Sequence, residues 1–94
     1  MTEKPVVSDD PMYRLLRDGA IKEFNARKAD GQSARLRGCD FSGMVLKGMD
    51  ADGLDLQDGF FHDTDLRGVD LRNANLQGAS IHGAKIAGVY FPSE

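Results

Sequence analysis

The sequence is poor in residues on which many small folds depend. Its 94 residues include no Trp, five Phe, two Tyr and one Cys. A single cysteine cannot form an internal disulfide, which excludes a disulfide-stapled fold. No apolar run approaches the ~20 residues of a membrane span, and the first ten residues lack the apolar segment of a secretory signal. We therefore expect a cytoplasmic protein that does not contact a membrane.

The charge balance is equally unremarkable. The formal net charge of −3 is too small to indicate direct nucleic-acid or membrane binding through the protein's field. A chain of this length forms one small domain. Eleven glycines combined with few aromatics favour a repeat protein over a compact α/β domain.

From residue 34 a central position, in most cases a large apolar residue, recurs every five residues. The position two before it is mostly a smaller apolar residue, with Gly59 and Thr64 as departures. The position directly before it is often Asp or Asn, and the position two after it is usually Gly or another turn former. The central positions are Leu36, Phe41, Leu46, Ala51, Leu56, Phe61, Leu66, Leu71, Leu76, Ile81, Ile86 and Phe91.

A period of five predicts a short extended side followed by a turn. Alternate residues of the extended side point inward, and the turn residues supply positive φ angles or side-chain bonds to the backbone. Four such sides close a coil of about twenty residues, and coils stack at the ~4.8 Å strand spacing. Each unit buries its apolar residues only against its neighbours.

The segments "TDLRG", "VDLRN", "ANLQG" and "ASIHG" match the motif A-(D/N)-L-x-x, and the chain resembles the pentapeptide repeat family over residues 34–93. The resemblance implies an all-β solenoid, a right-handed quadrilateral β-helix of about three coils. Family members are mostly binding proteins. Some resemble double-stranded DNA in shape and charge and act on DNA gyrase, as the quinolone-resistance members do, and many have no known partner.

The N-terminal third differs in pattern. Residues 1–8 are expected to be a disordered leader, and residues 9–31 a helical cap of two short helices or one kinked helix. "DDP" is typical of a helix start, Asp18 is expected to cap the second helix, and Gly31 to end it. The residues expected to pack between the helices and the first coil are Leu15, Leu16, Ile21, Phe24, Met44 and Met49, with Met12 on the same helical face.

The C-terminal end of the solenoid is expected to lack a cap, since the sequence stops at Glu94 and Pro92 removes one backbone donor. This predicts a coaxial homodimer through the last coil, with Val89, Tyr90 and Phe91 at its seam. A frayed end or a longer parent chain is the alternative.

Outward positions carry the candidate partner contacts. Phe60 occupies an outward position that is normally polar, beside the small Gly59, which indicates either an interaction residue or a side chain tucked inward. His62 and His82 are twenty residues apart and are expected to stack on one face. With Asp63 they offer three potential ligands, but no fourth ligand or second shell, so we predict a polar ladder and no metal site.

Asp50 and Asp70 are expected to stack as an acidic stripe, the feature that a DNA mimic would need. Residues 34–93 contain eight Asp and six Lys or Arg, so the surface is mixed in sign. Outward Asp residues also have a local role, since they can bond nearby backbone at turns.

Catalysis finds no support in the sequence. Cys39 occupies an inward small position and is predicted to be a buried apolar residue. The glycines follow the turns and do not form a phosphate-binding loop, and no catalytic set converges. We therefore predict a non-catalytic protein–protein interaction module without cofactor or metal; a gyrase-directed DNA mimic and a self-assembling structural module are the alternatives.

Overall fold

The computed structural model describes residues 4–93. Its regular elements are two helices, α1 (Pro11–Arg17) and α2 (Ile21–Ala29). Within the described part of the chain the β-pairing consists of isolated parallel bridges, and no continuous strand forms. No helix in this part is long and apolar enough to cross a membrane.

The helix boundaries follow local chemistry. Pro11 opens α1, and the Asp10 carboxylate accepts a hydrogen bond from the Met12 N–H, the usual N-terminal arrangement. Gly19, at φ 76°, separates the helices. The expectation that Asp18 caps the second helix was wrong. Asp18 is the C-cap of α1, and Ala20 precedes α2 without a side-chain cap, because the turn through Gly19 places Asp18 two residues before the N-cap position of α2.

Both helices pack on the first repeats. Met12, Tyr13, Leu16 and Phe24 are buried in one core with the repeat residues, including Met49, and the residues packed at its margin are Leu15, Ile21 and Met44. Tyr13 was not anticipated as a core residue: its ring lies 5.7 Å from that of Phe41, and its hydroxyl donates to the Asp40 carbonyl at 2.6 Å. The helical segment therefore covers the N-terminal end of the repeats.

The repeats return on themselves every twenty residues. We call residues 34–53, 54–73 and 74–93 the first, second and third layers. Backbone bonds join equivalent units of adjacent layers: the Phe41 N–H donates to the Phe60 carbonyl at 2.8 Å, and the Phe61 N–H to the Ser80 carbonyl at 2.7 Å. The parallel bridges between layers are Asp40–Phe60, Val45–Asp65, Asp55–Asn75, Phe60–Ser80, Asp65–Lys85 and Asp70–Tyr90.

Two features of the sequence stabilise the turns at every fifth residue. Most of their positive-φ positions are glycines, and Asp58 and Asp63 adopt φ 58° in their place, a region that Asp tolerates better than most residues. Where Asp or Asn directly precedes the central residue, its side chain also accepts the N–H two residues later, as these residues do in tight turns. This recurs at Asp40, Asp50, Asp55, Asp65, Asp70 and Asn75.

The core is complete in two layers and open in the third. Every central residue of the first and second layers is buried, whereas Ile81, Ile86 and Phe91 are 37%, 42% and 38% exposed. The Phe41 and Phe61 rings stack at 4.7 Å. The space left by Gly59 is filled by Phe61, since an added Cβ would lie 2.8 Å from that ring.

The expected leader contributes to the fold. Residues 1–3 of it lie outside the described residues. Val6 forms a parallel bridge with Cys39: its N–H donates to the Gly38 carbonyl at 2.9 Å, and its carbonyl accepts from the Asp40 N–H at 2.8 Å. The sequence did not indicate this pairing because Val6 lies outside the repeat.

Candidate binding surfaces

Phe60, His62 and His82 form a row of outward rings, which we call the aromatic row. The Phe60 and His62 rings meet edge to face at 5.6 Å, and those of His62 and His82 at 6.0 Å. His62 Nε2 lies 2.6 Å from Ser80 Oγ. Phe60 is half-buried and its backbone bridges both neighbouring layers. Phe60 is therefore held on a backbone that is paired on both sides.

The histidine pair does not gather metal ligands. Within residues 4–93, no group of three His, Cys, Asp or Glu is placed to hold a metal ion. The hydrogen bond between His62 and Ser80 instead makes His62 part of a polar ladder down the face.

The predicted acidic stripe is paired with cations. Asp50 lies 3.4 Å from the Lys28 ammonium of α2, and Asp70 2.8 Å from the Arg72 guanidinium. Hydrogen bonds from Arg72 lower the pKa of Asp70 to about 2. Asp50 and Asp70 thus belong to a mixed surface, and neither adds to a uniformly negative face.

Asp65 has a similar partner in a more enclosed place. It is only 7% exposed, and its carboxylate accepts two hydrogen bonds from the Arg67 guanidinium, at 2.9 and 2.7 Å. These bonds lower the pKa of Asp65 to about 2. The arrangement fixes a charge pair against the turn and leaves no free carboxylate for chemistry.

Cys39 has the surroundings of a structural residue. Its side chain is buried, and its Sγ lies 3.7 Å from the Arg35 carbonyl. Burial raises the pKa of the thiol to about 11, so the nucleophilic thiolate is scarce near neutral pH.

The third layer presents an apolar end. Val89 is half-buried and Tyr90 is 59% exposed. Arg72 lies over the Tyr90 ring at 4.9 Å. A hollow of about 940 Å³ opens there, lined by residues that include Leu76, Ile81 and Phe91. Residues 74–93 carry one Lys and no Asp, Glu or Arg, against six charged residues in the first layer and seven in the second.

A second hollow was not anticipated from the sequence. A groove of about 470 Å³ lies between α1 with its following turn and the first layer; its lining includes Val7, Leu16, Met44 and Val45. Val45 is 58% exposed. The exposed apolar residue at this outward position was visible in the sequence, but the contribution of α1 and Val7 was not.

The comparisons agree with the repeat pattern. A family model for pentapeptide repeats matches residues 32–68 and 61–91, with eight copies. Comparison with curated proteins and with solved structures found no match. The matched residues cover well over half of the sequence, and the protein belongs to the pentapeptide repeat family.

Proposed function

We propose that this protein is a non-catalytic protein-binding module and that the aromatic row is its partner contact. The observation that carries the proposal is the ring contact of Phe60 with His62, and of His62 with His82. Aromatic side chains held in place before binding lose little conformational entropy in a complex. They are also enriched among residues that dominate protein interfaces.

The finer architecture is part of the proposal. We infer a right-handed quadrilateral β-helix of about three coils over residues 34–93, with residues 9–31 as its N-terminal cap. The supporting observations are the parallel bridges between residues twenty apart and the turns at five-residue spacing. Such a solenoid offers flat faces to a partner, and we place its action in the cytoplasm.

The test uses affinity capture from a lysate of the source cell, with Phe60→Arg beside wild type. The matched control is Ala87→Arg, which adds the same charge at an exposed position of another face. We expect one protein to be captured by wild type and by Ala87→Arg, and to be lost with Phe60→Arg. Circular dichroism must show that the variants are folded. A partner retained by a folded Phe60→Arg would contradict the assignment of the aromatic row.

Self-assembly through the third layer is a second candidate, with Val89, Tyr90 and Phe91 at the seam. Its support is the exposed apolar set of that layer and the near absence of charge there. Depletion of charged residues is typical of interface cores. The end-to-end homodimer would pair two such ends.

The gyrase-directed DNA mimic remains an alternative with less support. Lys28 and Arg72 pair with Asp50 and Asp70, so the stripe lacks the uniform negative charge that mimicry requires. If the protein is such a mimic, Asp50→Lys together with Asp70→Lys should abolish an effect on gyrase supercoiling. Wild-type protein without such an effect would remove the alternative.

A further inference from the structure

The N-terminal cap leaves one backbone position open. The first layer has four equivalent N–H groups at five-residue spacing, and residues that precede the repeats satisfy three of them. The Arg35 N–H donates to the Asp10 carboxylate, the Asp40 N–H to the Val6 carbonyl, and the Asp50 N–H to the Asn25 side-chain oxygen. The fourth, on Val45, has no hydrogen-bond partner among residues 4–93.

The pairing of Val6 shows which kind of segment can bind at such a position. Val6 is held by the Gly38 carbonyl and the Asp40 N–H. Five residues further on, the Gly43 carbonyl and the Val45 N–H repeat this arrangement, and neither has a hydrogen-bond partner in the described part of the chain. We call this pair of groups the open edge. Because Val6 is not a repeat residue, the first layer can evidently pair with an extended segment from outside the repeats.

The surroundings of the open edge suit an extended apolar segment. Val7 and Val45 are 57% and 58% exposed, and both line the groove beside α1. Partly buried Met44 and buried Leu16 complete its apolar wall. A β-branched side chain entering the groove would cover these surfaces, while its backbone bonded the edge as in other cases of strand addition.

The charged residues around the groove favour some extended segments over others. Asp18, Asp40 and Arg17 also line it, and none of their side chains forms an ion pair within residues 4–93. Two carboxylates and one guanidinium give the rim a net charge of −1. A segment with one basic residue is complementary to it.

We propose that the open edge binds an extended partner peptide by strand addition. A β-branched residue pairs with Gly43 and Val45, and a basic residue of the same peptide lies toward Asp18 and Asp40. This rests on the proposed protein-binding function but adds a contact separate from the aromatic row. The partner segment is defined by its β-branched residue and its basic residue.

The test is a titration of the ¹⁵N-labelled full chain with the peptide acetyl-Gly-Lys-Val-Val-Val-Ser-Gly-amide, followed by NMR. The amide signals of Gly43 and Val45 should shift, and exchange of the Val45 N–H should slow by about tenfold at saturation. The control peptide carries an N-methyl group on its middle valine. It cannot donate to the Gly43 carbonyl and should bind about tenfold more weakly.

Matched variants locate the site. Val45→Pro removes the unpaired N–H, and a proline is tolerated at an edge position. It should weaken peptide binding by about tenfold or more. Ala87→Arg, at an exposed position outside the groove, should bind like wild type. If Val45→Pro does not fold, the methylated peptide decides the question, because it tests the same pairing on the wild-type protein.

Three results would overturn the proposal: no shift at Val45 with about 1 mM peptide, equal binding of the methylated peptide, or shifts that depend on protein concentration without peptide. The last would assign the edge to a second copy of the chain. A lysate partner lost with Phe60→Arg, with no peptide binding at Val45, would leave the proposed function standing and remove this site alone.

Discussion

At the residue scale, many turns of the repeat are stabilised by an Asp or Asn directly before the central residue. That side chain accepts the N–H two residues later in six units. This role in the turns explains why acidic residues are frequent on the surface. They do not form a uniformly negative face, because many of them also pair with a neighbouring cation.

Gly59 is predicted to be intolerant of a side chain. Its Cβ would lie 2.8 Å from the Phe61 ring and 3.2 Å from the Leu56 carbonyl oxygen. Gly59→Ala should lower the free energy of unfolding by about 1–3 kcal/mol, the range for overpacked cores, measured by urea denaturation. In a Phe61→Leu background the same change should cost less. Additive costs in the double mutant would contradict the clash with Phe61.

Thr64 stabilises the core through its hydroxyl. The residue is fully buried, and its Oγ1 donates to the Phe41 carbonyl at 2.7 Å. Thr64→Val keeps the shape and removes the bond, so we expect a loss of about 1 kcal/mol in unfolding free energy. Thr64→Ser serves as the control that keeps the hydroxyl. A Thr64→Val protein as stable as wild type would show that the bond contributes nothing.

Asp65 makes stability depend on acid pH. Its folded-state pKa of about 2, lowered by Arg67, lies below the ~3.9 of an unfolded Asp. The stability it contributes is therefore present above pH ~4 and is lost as pH falls toward 2. Thermal unfolding of Asp65→Asn should vary less with pH between 4 and 2 than that of wild type, because Asn keeps the turn bond. An unchanged pH profile would refute this contribution.

At the element scale, the helices act through specific polar contacts as well as apolar burial. Asn25 of α2 donates to the Gly48 carbonyl at 2.9 Å and accepts from the Asp50 N–H at 2.8 Å. One side chain thus replaces a backbone pair at the exposed end of the first layer. Beside Asp40, the Val6 backbone forms such a pair itself, and the Tyr13 hydroxyl donates to the Asp40 carbonyl.

Loss of Asn25 should open one edge of the first layer. In Asn25→Ala the Asp50 N–H is left to water, so its hydrogen exchange should accelerate while exchange at buried Phe61 stays as in wild type. Lys28→Met is the control, since it keeps most of the aliphatic stem and removes the ion pair with Asp50. Equal acceleration in both variants would point to the charge pair instead of the side-chain bond.

The sequence predicted the periodic part of the fold and missed its exceptions. The period of five identified the central residues, which are buried in the first two layers. The breaks at Gly19 and Gly31 indicated where the helices lie. Tyr13, Thr64 and the Val6 pairing could not be predicted, because each depends on a contact more than twenty residues away in the chain. The open edge at Val45 becomes visible only once the contacts of the cap are known.

At the scale of the whole molecule, the two ends of the stack differ. Helices and the Val6 segment cover the first layer, whereas the third layer exposes Ile81, Ile86 and Phe91. Exposed apolar residues and unpaired backbone edges favour association with another chain.

Association through the third layer predicts a wild-type dimer in analytical ultracentrifugation. Changing Tyr90 and Phe91 to Glu should give monomers, because paired carboxylates in an apolar contact are costly to desolvate. Ala87→Glu is a control that adds charge on a side face. A wild type that stays monomeric at about 100 μM, well above the Kd of an ordinary specific dimer, would contradict self-assembly.

The stacking of layers is the claim on which every surface assignment depends, and per-residue hydrogen exchange measured by NMR on monomeric protein tests it most directly. The N–H groups of Phe61, Leu66 and Leu71 are bonded to the third layer, whereas those twenty residues later, on Ile81, Ile86 and Phe91, have no recorded partner in residues 4–93. Stacked layers predict slow exchange in the first set and fast exchange in the second. Similar rates in both sets would contradict the stack.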